Sequence, residues 1–275
     1  MKKFMSNLLL VLVLVAGLSL LLYPTFADLW NSMHQSRAIA TYSDTVAGLD
    51  KISYDSVWEA VREYNRTLAG RDISRFFMTD EERAEYESLL DVTDVGVIGY
   101  IEIPKLGEKM PIYHGTSEGV LQVAIGHLEG SSLPVGGKGS HCALSGHRGL
   151  PSARLFTDLD QIVIGDLFHL YILDEVLTYQ VDQIETVLPE DVSLLEIDPE
   201  RDLCTLITCT PYGVNSHRLL VRGHRTITPE EEKTVHITNG ARQIQREYVA
   251  LIVAAPLILI MLPVLLIAAR RKYRG

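Results

Sequence analysis

Two uncharged apolar runs stand near the ends of the chain. The first, "LLLVLVLVAGLSLLL" from Leu8 to Leu22, reaches nearly the ~20 residues a membrane helix needs once Phe4 to Asn7 are added. The second, "VALIVAAPLILIMLPVLLIAA" from Val249 to Ala269, is long enough to span by itself. Between them the pattern is first helical. Val57, Val61, Tyr64 and Leu68 recur at helical spacing, and Gly70 is a natural stop. After it, "RDISRFFMTDEERAEYESLL" predicts an irregular stretch with two aromatics, Phe76 and Phe77, followed by a short charged helix. From Asp91 the grammar changes to short β-prone runs separated by turn-rich segments. These runs are "GVIGYIEIP", "MPIYHG", "HCALSGH", "FHLYIL", "VLTYQVDQIETV", "LCTLIT" and "RLLVRGH", and they predict a closed or nearly closed all-β domain.

The expected organisation follows. Residues 1–27 form a membrane anchor or a signal sequence, 28–90 a helical N-terminal region, 91–228 a β-barrel domain, 229–248 a linker, 249–269 a transmembrane helix and 270–275 a basic tail. Thr25-Phe26-Ala27 has the small-residue character of a cleavage site, so anchor and cleaved signal are both open readings of the first run. A buried core helix is the alternative for the second, and its length, Pro256, Pro263 and the basic tail favour a membrane span. Lys2 and Lys3 before the first run, and Arg270, Arg271, Lys272 and Arg274 after the second, put both termini in the cytoplasm and the middle outside.

Charge narrows the partners. The chain carries 25 Lys and Arg against 35 Asp and Glu. Six of the basic residues are those terminal ones, so 19 remain beside all 35 acidic residues and the external part is near −16. Such a balance argues against nucleic acid or anionic lipid as a partner and for a well-solvated surface.

The three cysteines are Cys142, Cys204 and Cys209. An odd number outside the cytoplasm leaves at least one thiol free. Cys142 and Cys204 lie inside apolar runs, where cysteine acts as a small hydrophobe, whereas Cys209 ends its run before Pro211 and Gly213 turn the chain. A nucleophilic thiol needs a proton-transfer partner and an oxyanion stabiliser. His147 ends a comparable run in "HCALSGHRGLPS", and Arg218 opens the next strand after Cys209. A satisfied turn histidine and a surface arginine paired with a carboxylate are the plain alternatives, and His217, Arg222 and Arg225 compete with Arg218. No CxxC pair, HExxH or calcium-loop spacing points to a metal, and "VGGKGS" lacks the P-loop order.

"TLITC" followed by "TPYGVNSHRLLVRGHR" closely resembles the sortase signature, and "LSGHRGLPSARLFTDLD" resembles that family's histidine segment. "GYIEIPKLGEKMPIYHGTSEGVLQVAIGHLEGSSLPVGGKGSHCALSGHRG" further resembles the class C, pilin-polymerising subgroup, and the likeness as a whole runs from about Gly96 to Arg225. The resemblance implies an eight-stranded sortase β-barrel with Cys209 as nucleophile, His147 as general acid and base, and Arg218 orienting substrate and steadying the oxyanion. It implies cleavage of an LPxTG-like sorting signal between Thr and Gly through a thioacyl intermediate. A lysine amine of a second pilin subunit then resolves it as an isopeptide, with pilins and the membrane bilayer as partners and no cofactor. Class C sortases often cover the site with an Asp-Pro-aromatic lid. Here the corresponding "GRDISRFFMTDEE" has no Asp-Pro, so Phe76 or Phe77, with Phe76 favoured, is expected as the plug of a modified lid.

Cys142 lies five residues before His147 and Cys204 five before Cys209, so on adjacent parallel strands these two would be neighbours, as packed thiols or as a geometrically demanding disulfide. Peptidoglycan L,D-transpeptidases and papain-like proteases do not match in motif or residue order. A housekeeping sortase that attaches proteins to the cell wall shares the trio and differs in the resolving amine. A membrane-tethered scaffold with inert cysteines is the non-enzymatic reading.

Overall fold

The computed structural model describes residues 2–93 and 95–230. The expected second membrane span at 249–269, the basic tail and all but the first two residues of the linker lie outside the described residues. The chain divides after Pro24, and the described residues from Thr25 to Glu230 belong to the unit that holds the barrel.

Helix α1 runs Lys2–Ala47 and α2 Lys51–Leu68. Among the described residues one helix, Leu12–Ala47, is long and apolar enough to cross a membrane. A 3₁₀ turn, Ile73–Phe76, and α3, Asp80–Ser88, follow. The strands are β1 Val97–Ile103, β2 Glu108–His114, β3 Ile125–His127, β4 Ser140–Ser145, β5 Leu167–Ile172, β6 Glu175–Val187, β7 Asp202–Thr210 and β8 His217–Thr226, with a one-turn helix α4, Glu118–Leu121, before β3.

The eight strands close a barrel in the order β1-β2-β3-β4-β7-β8-β6-β5, with β5 pairing back to β1. The β2–β3 and β4–β7 pairs are parallel and the other six are antiparallel. Seven of the strands coincide with the seven β-prone runs of the sequence. The eighth, β3, has three residues, too few to register as alternation.

Side chains alternate across each strand, so one set fills the barrel and the other faces out. Ile98, Ile101, Cys142, Leu144, Cys204, Leu206, Phe168, Tyr179 and Val221 belong to one buried core. The helices cap this core. On α2, Val61 and Leu68 are wholly buried, with Trp58 and Tyr64 nearly so, as the helical spacing predicts; Val57 is only partly buried. The Asn65 side-chain amide donates to the Leu133 carbonyl at 3.0 Å and accepts from the Leu133 N–H at 2.8 Å, which fixes the register of α2 on the β3–β4 loop. Tyr42 of α1 accepts from Leu173 N–H at 2.7 Å and donates to the Ile98 carbonyl at 3.2 Å. Helix α3 starts at a capping box between Thr79 and Glu82 and buries Tyr86, whose hydroxyl meets His127 Nδ1 at 2.9 Å and the Gly115 N–H at 2.9 Å. Residues 25–90 are thus packed onto the barrel by both apolar and polar contacts.

Candidate active site

Strand β7 carries Thr205, Ile207 and Cys209 on its outer face, because Cys204 and Leu206 fill the interior. On β8, Leu220 faces outward and Val221 inward, which puts Arg218 on the outer face two residues before Leu220. Antiparallel pairing makes Cys209 and Arg218 direct register partners. The sequence thus placed this arginine correctly relative to the cysteine. Among the described residues Arg218 has no carboxylate partner. Its Nη1 donates to the carbonyls of His217 and Asn215 at 3.1 and 3.3 Å. Its competitors are otherwise engaged. Arg222 donates to both carboxylate oxygens of Asp182, Arg225 lies over the Tyr179 ring, and His217 meets the Ser216 hydroxyl.

His147 follows β4, which runs parallel to β7 with Ser145 opposite Ile207. The ladder continues beyond β4. Gly146 N–H donates to the Ile207 carbonyl at 3.0 Å, and the buried Thr208 hydroxyl donates to the Gly146 carbonyl at 2.8 Å. His147 lies two residues past Ser145, as Cys209 lies two past Ile207, the last register partners of the β4–β7 pair. The His147 carbonyl accepts from Phe156 N–H at 3.1 Å. Its Nε2 is buried without a hydrogen-bond partner and lies 3.9 Å from the Glu118 carboxylate. All three side chains are half-buried, at one end of an outer face shared by β4, β7 and β8.

The loops behind these residues hold one another. Tyr212, just after β7, stacks under the Arg148 guanidinium at 5.9 Å. It packs so close to Gly149, which has φ +76°, that a Cβ there would lie 2.7 Å from the ring. Arg148 in turn pairs with Asp160. Tyr212 stood in plain sight in "TCTPYG", but nothing in sequence spacing linked it to a loop more than sixty residues away.

The floor of this outer face is apolar. Ala143, Ile207, Leu220 and Leu195 form a small cluster, and Phe76 packs on it, while Phe77 is 77% exposed. Of the two aromatics the sequence offered, Phe76 is therefore the one on the same face as Cys209. Its backbone is held from below: Gly130 has φ +84° and touches the chain so closely that a Cβ would lie 2.2 Å from the Arg75 carbonyl oxygen. Arg75, which the sequence reading passed over, is 4% exposed. Its Nη2 donates to the Leu195 carbonyl at 2.7 Å, its Nη1 to the Arg71 carbonyl at 3.0 Å, and its guanidinium lies 4.6 Å from the Phe76 ring centre. Burial lowers its pKa below the ordinary value, and the nearby Glu196 opposes that. Asp72 caps the turn by accepting from Ser74 N–H at 2.9 Å and does not engage Arg218. A cavity of about 460 Å³ opens between this turn and the segment before β7, lined by Asp72, Arg75, Phe76, Glu190, Asp191 and Glu196.

Two further buried points lie near the site, His141 on the outer face of β4 and a cysteine pair in the barrel interior. His141 is buried, with Nδ1 2.8 Å from the Glu196 carbonyl and Nε2 2.8 Å from the Thr205 hydroxyl. Burial pushes its pKa down to about 4. Cys142 and Cys204 are register partners on β4 and β7, buried, and both free thiols. Among the described residues no cluster of three or more His, Cys, Asp or Glu is arranged to hold a metal.

The barrel that carries these residues matches a known family. The sortase-domain family model matches residues 101–226. The chain is 53% identical to sortase C1 from Streptococcus agalactiae, with a TM-score of 0.67 over 70% of this chain and 100% of that one. It therefore belongs to the sortase family. A second solved relative, sortase C from Streptococcus pneumoniae, is 45% identical, with a TM-score of 0.63 over 70% of this chain and 97% of that one. Sortase D from Bacillus subtilis (strain 168) is 28% identical over 130 residues, 46% of this chain and 63% of that relative. The chain thus spans less than two thirds of that curated relative's length.

Proposed function

We propose that this chain is a membrane-anchored cysteine transpeptidase that joins pilin subunits. Cys209 Sγ attacks the Thr–Gly carbonyl of an LPxTG-like sorting signal. The tetrahedral oxyanion is met by the Arg218 guanidinium, a planar donor group whose charge does not titrate away and which no carboxylate occupies. His147 protonates the departing glycine amine, leaving the Thr carbonyl on Cys209 as a thioester. A lysine amine of a second pilin then attacks, His147 takes up its proton, and an isopeptide bond replaces the thioester. The thioester conserves the energy of the cleaved peptide bond, so no cofactor enters the scheme.

The observation that carries this reading is the register: Cys209 opposite Arg218 on β7 and β8, and His147 two residues past Ser145 as Cys209 is past Ile207 on the paired strands β4 and β7. The class C assignment draws on the relatives at 53% and 45% identity, the second of which was described with pilin substrate specificity in view. Phe76 on the apolar floor of the outer face that carries Cys209 is in keeping with a lid held by Arg75 and aromatic packing, in place of an Asp-Pro-aromatic motif. Sortases are membrane-associated, and the apolar part of α1 serves as the anchor here, with the barrel of residues 91–228 on the outer side and both termini in the cytoplasm.

The test is reconstitution of the full chain in detergent micelles with a pilin that bears a C-terminal sorting signal. The reading predicts a ladder of covalent oligomers whose cross-linked peptides join Thr to a Lys side chain. Cleavage of the signal with transfer only to a cell-wall-type amine would point instead to a housekeeping role, and no cleavage would end the proposal.

A further inference from the structure

The chemistry proposed above uses one cysteine of three. The other two are not scattered. Cys142 and Cys204 are direct Cα partners on the parallel pair β4 and β7, and both point into the barrel core. Each is at most 2% exposed. Cys142 lies within hydrogen-bond reach of both the Cys204 sulfur and the His127 ring. His127 is itself held in place: Nδ1 faces the Tyr86 hydroxyl at 2.9 Å and Nε2 the Ser132 carbonyl at 2.9 Å. Neighbouring strands lie about 4.8 Å apart. That separation falls inside the roughly 4.4–6.8 Å range of Cα separations that disulfides span.

We propose that Cys142 and Cys204 form a reversible dithiol–disulfide site, a covalent staple across the two strands whose ends carry His147 and Cys209. A peroxide is the oxidant class small enough to reach a buried pair when the strands open locally. The Cys142 sulfur attacks one peroxide oxygen, giving the sulfenic acid and one water. The Cys204 sulfur then displaces the sulfenic oxygen, which leaves as a second water carrying the remaining thiol proton, and the Sγ–Sγ bond forms. Two thiols and one peroxide thus become one disulfide and two waters. Cys142 is the sulfur beside the His127 ring, and the same disulfide results whichever sulfur attacks first. The disulfide removes freedom from the unfolded chain over a loop of some sixty residues and so raises stability. None of this depends on the transpeptidase reading.

The experiment uses the full chain in micelles with Cys209→Ala, which leaves Cys142 and Cys204 as its cysteines, treated with hydrogen peroxide and then with or without dithiothreitol. The expected results are an intact mass lower by two hydrogens, a linked 142–204 peptide after digestion, and a thermal midpoint several degrees higher that falls back on reduction. In Cys142→Ala/Cys209→Ala the reducible rise in midpoint disappears. Two thiols still titratable after denaturation, oxygen added to the sulfurs one by one without a linked peptide, or a reducible rise that persists without Cys142 would each overturn the proposal.

Discussion

Cys209 and Arg218 stand directly opposite each other in the β7–β8 ladder, and among the described residues the guanidinium donates to the Asn215 and His217 carbonyls and pairs with no carboxylate. An arginine committed to a carboxylate would have to break that pair to meet an oxyanion. This one is already free of such a partner.

The consequence is a sharp distinction between charge and shape. Arg218→Lys keeps the positive charge but loses the planar fork of donors. If the donor stabilises the oxyanion by about 3 kcal/mol, the lysine variant loses on the order of 100-fold in kcat/KM for cleavage of a sorting-signal peptide. Arg222→Lys, which alters the part-buried pair with Asp182 away from Cys209, leaves kcat/KM within about twofold.

The two aromatics separate in the same way. Phe76 packs against the cluster of Ala143, Leu195, Ile207 and Leu220, on the outer face that carries Cys209, and Phe77 is exposed. Phe76→Ala is expected to raise the rate of thiol labelling at Cys209 several-fold, and Phe77→Ala to leave it unchanged. Equal, unchanged rates in both variants would remove the lid from the account.

Gly130 tests the other end of that contact. A methyl group there would sit 2.2 Å from the Arg75 carbonyl oxygen, on a backbone at φ +84° that L side chains rarely adopt. Gly130→Ala should therefore displace the 3₁₀ turn that carries Phe76 and speed Cys209 labelling at least as much as Phe76→Ala. Protease cleavage near Arg75 should rise in parallel.

Acid sensitivity follows from two histidines, His141 buried and His114 half-buried. Burial pushes both His141 and His114 from the ordinary 6.5 down to about 4. In that window the unfolded chain binds protons that the folded chain refuses. Stability is therefore full above about pH 6.5 and declines as pH falls toward 4, by about 3 kcal/mol for each histidine. Urea midpoints measured between pH 7 and pH 4.5 should fall accordingly, and His141→Gln should flatten the decline.

How much of this was legible in the chain depended on whether a feature is local. Apolar alternation in "LCTLIT" and "RLLVRGH" marked β7 and β8, because both are long enough to show a period of two. Strand β3 has three residues and its partners are β2 and β4, so its identity rests on the barrel and not on its own pattern. The nucleophile candidate and its arginine were readable since a short loop, Pro211 to Ser216, joins their strands. Tyr212 against Gly149, and Arg75 against Leu195, were not readable. Each contact joins segments distant in sequence, and an arginine in a polar stretch gives no local sign that it will be buried. The neighbourhood of Cys142 and Cys204 was legible through equal spacing ahead of two strand ends, and the pairing of β4 with β7 bears that out.

The measurement that bears most directly on the whole account is intact-mass analysis of the full chain mixed with a sorting-signal peptide, beside Cys209→Ala. The account predicts an adduct equal to the peptide up to its Thr, mapped to Cys209, discharged by a lysine amine, and absent from the alanine variant. An adduct of the same mass in Cys209→Ala, or cleavage and ladder formation undiminished in that variant, would contradict it.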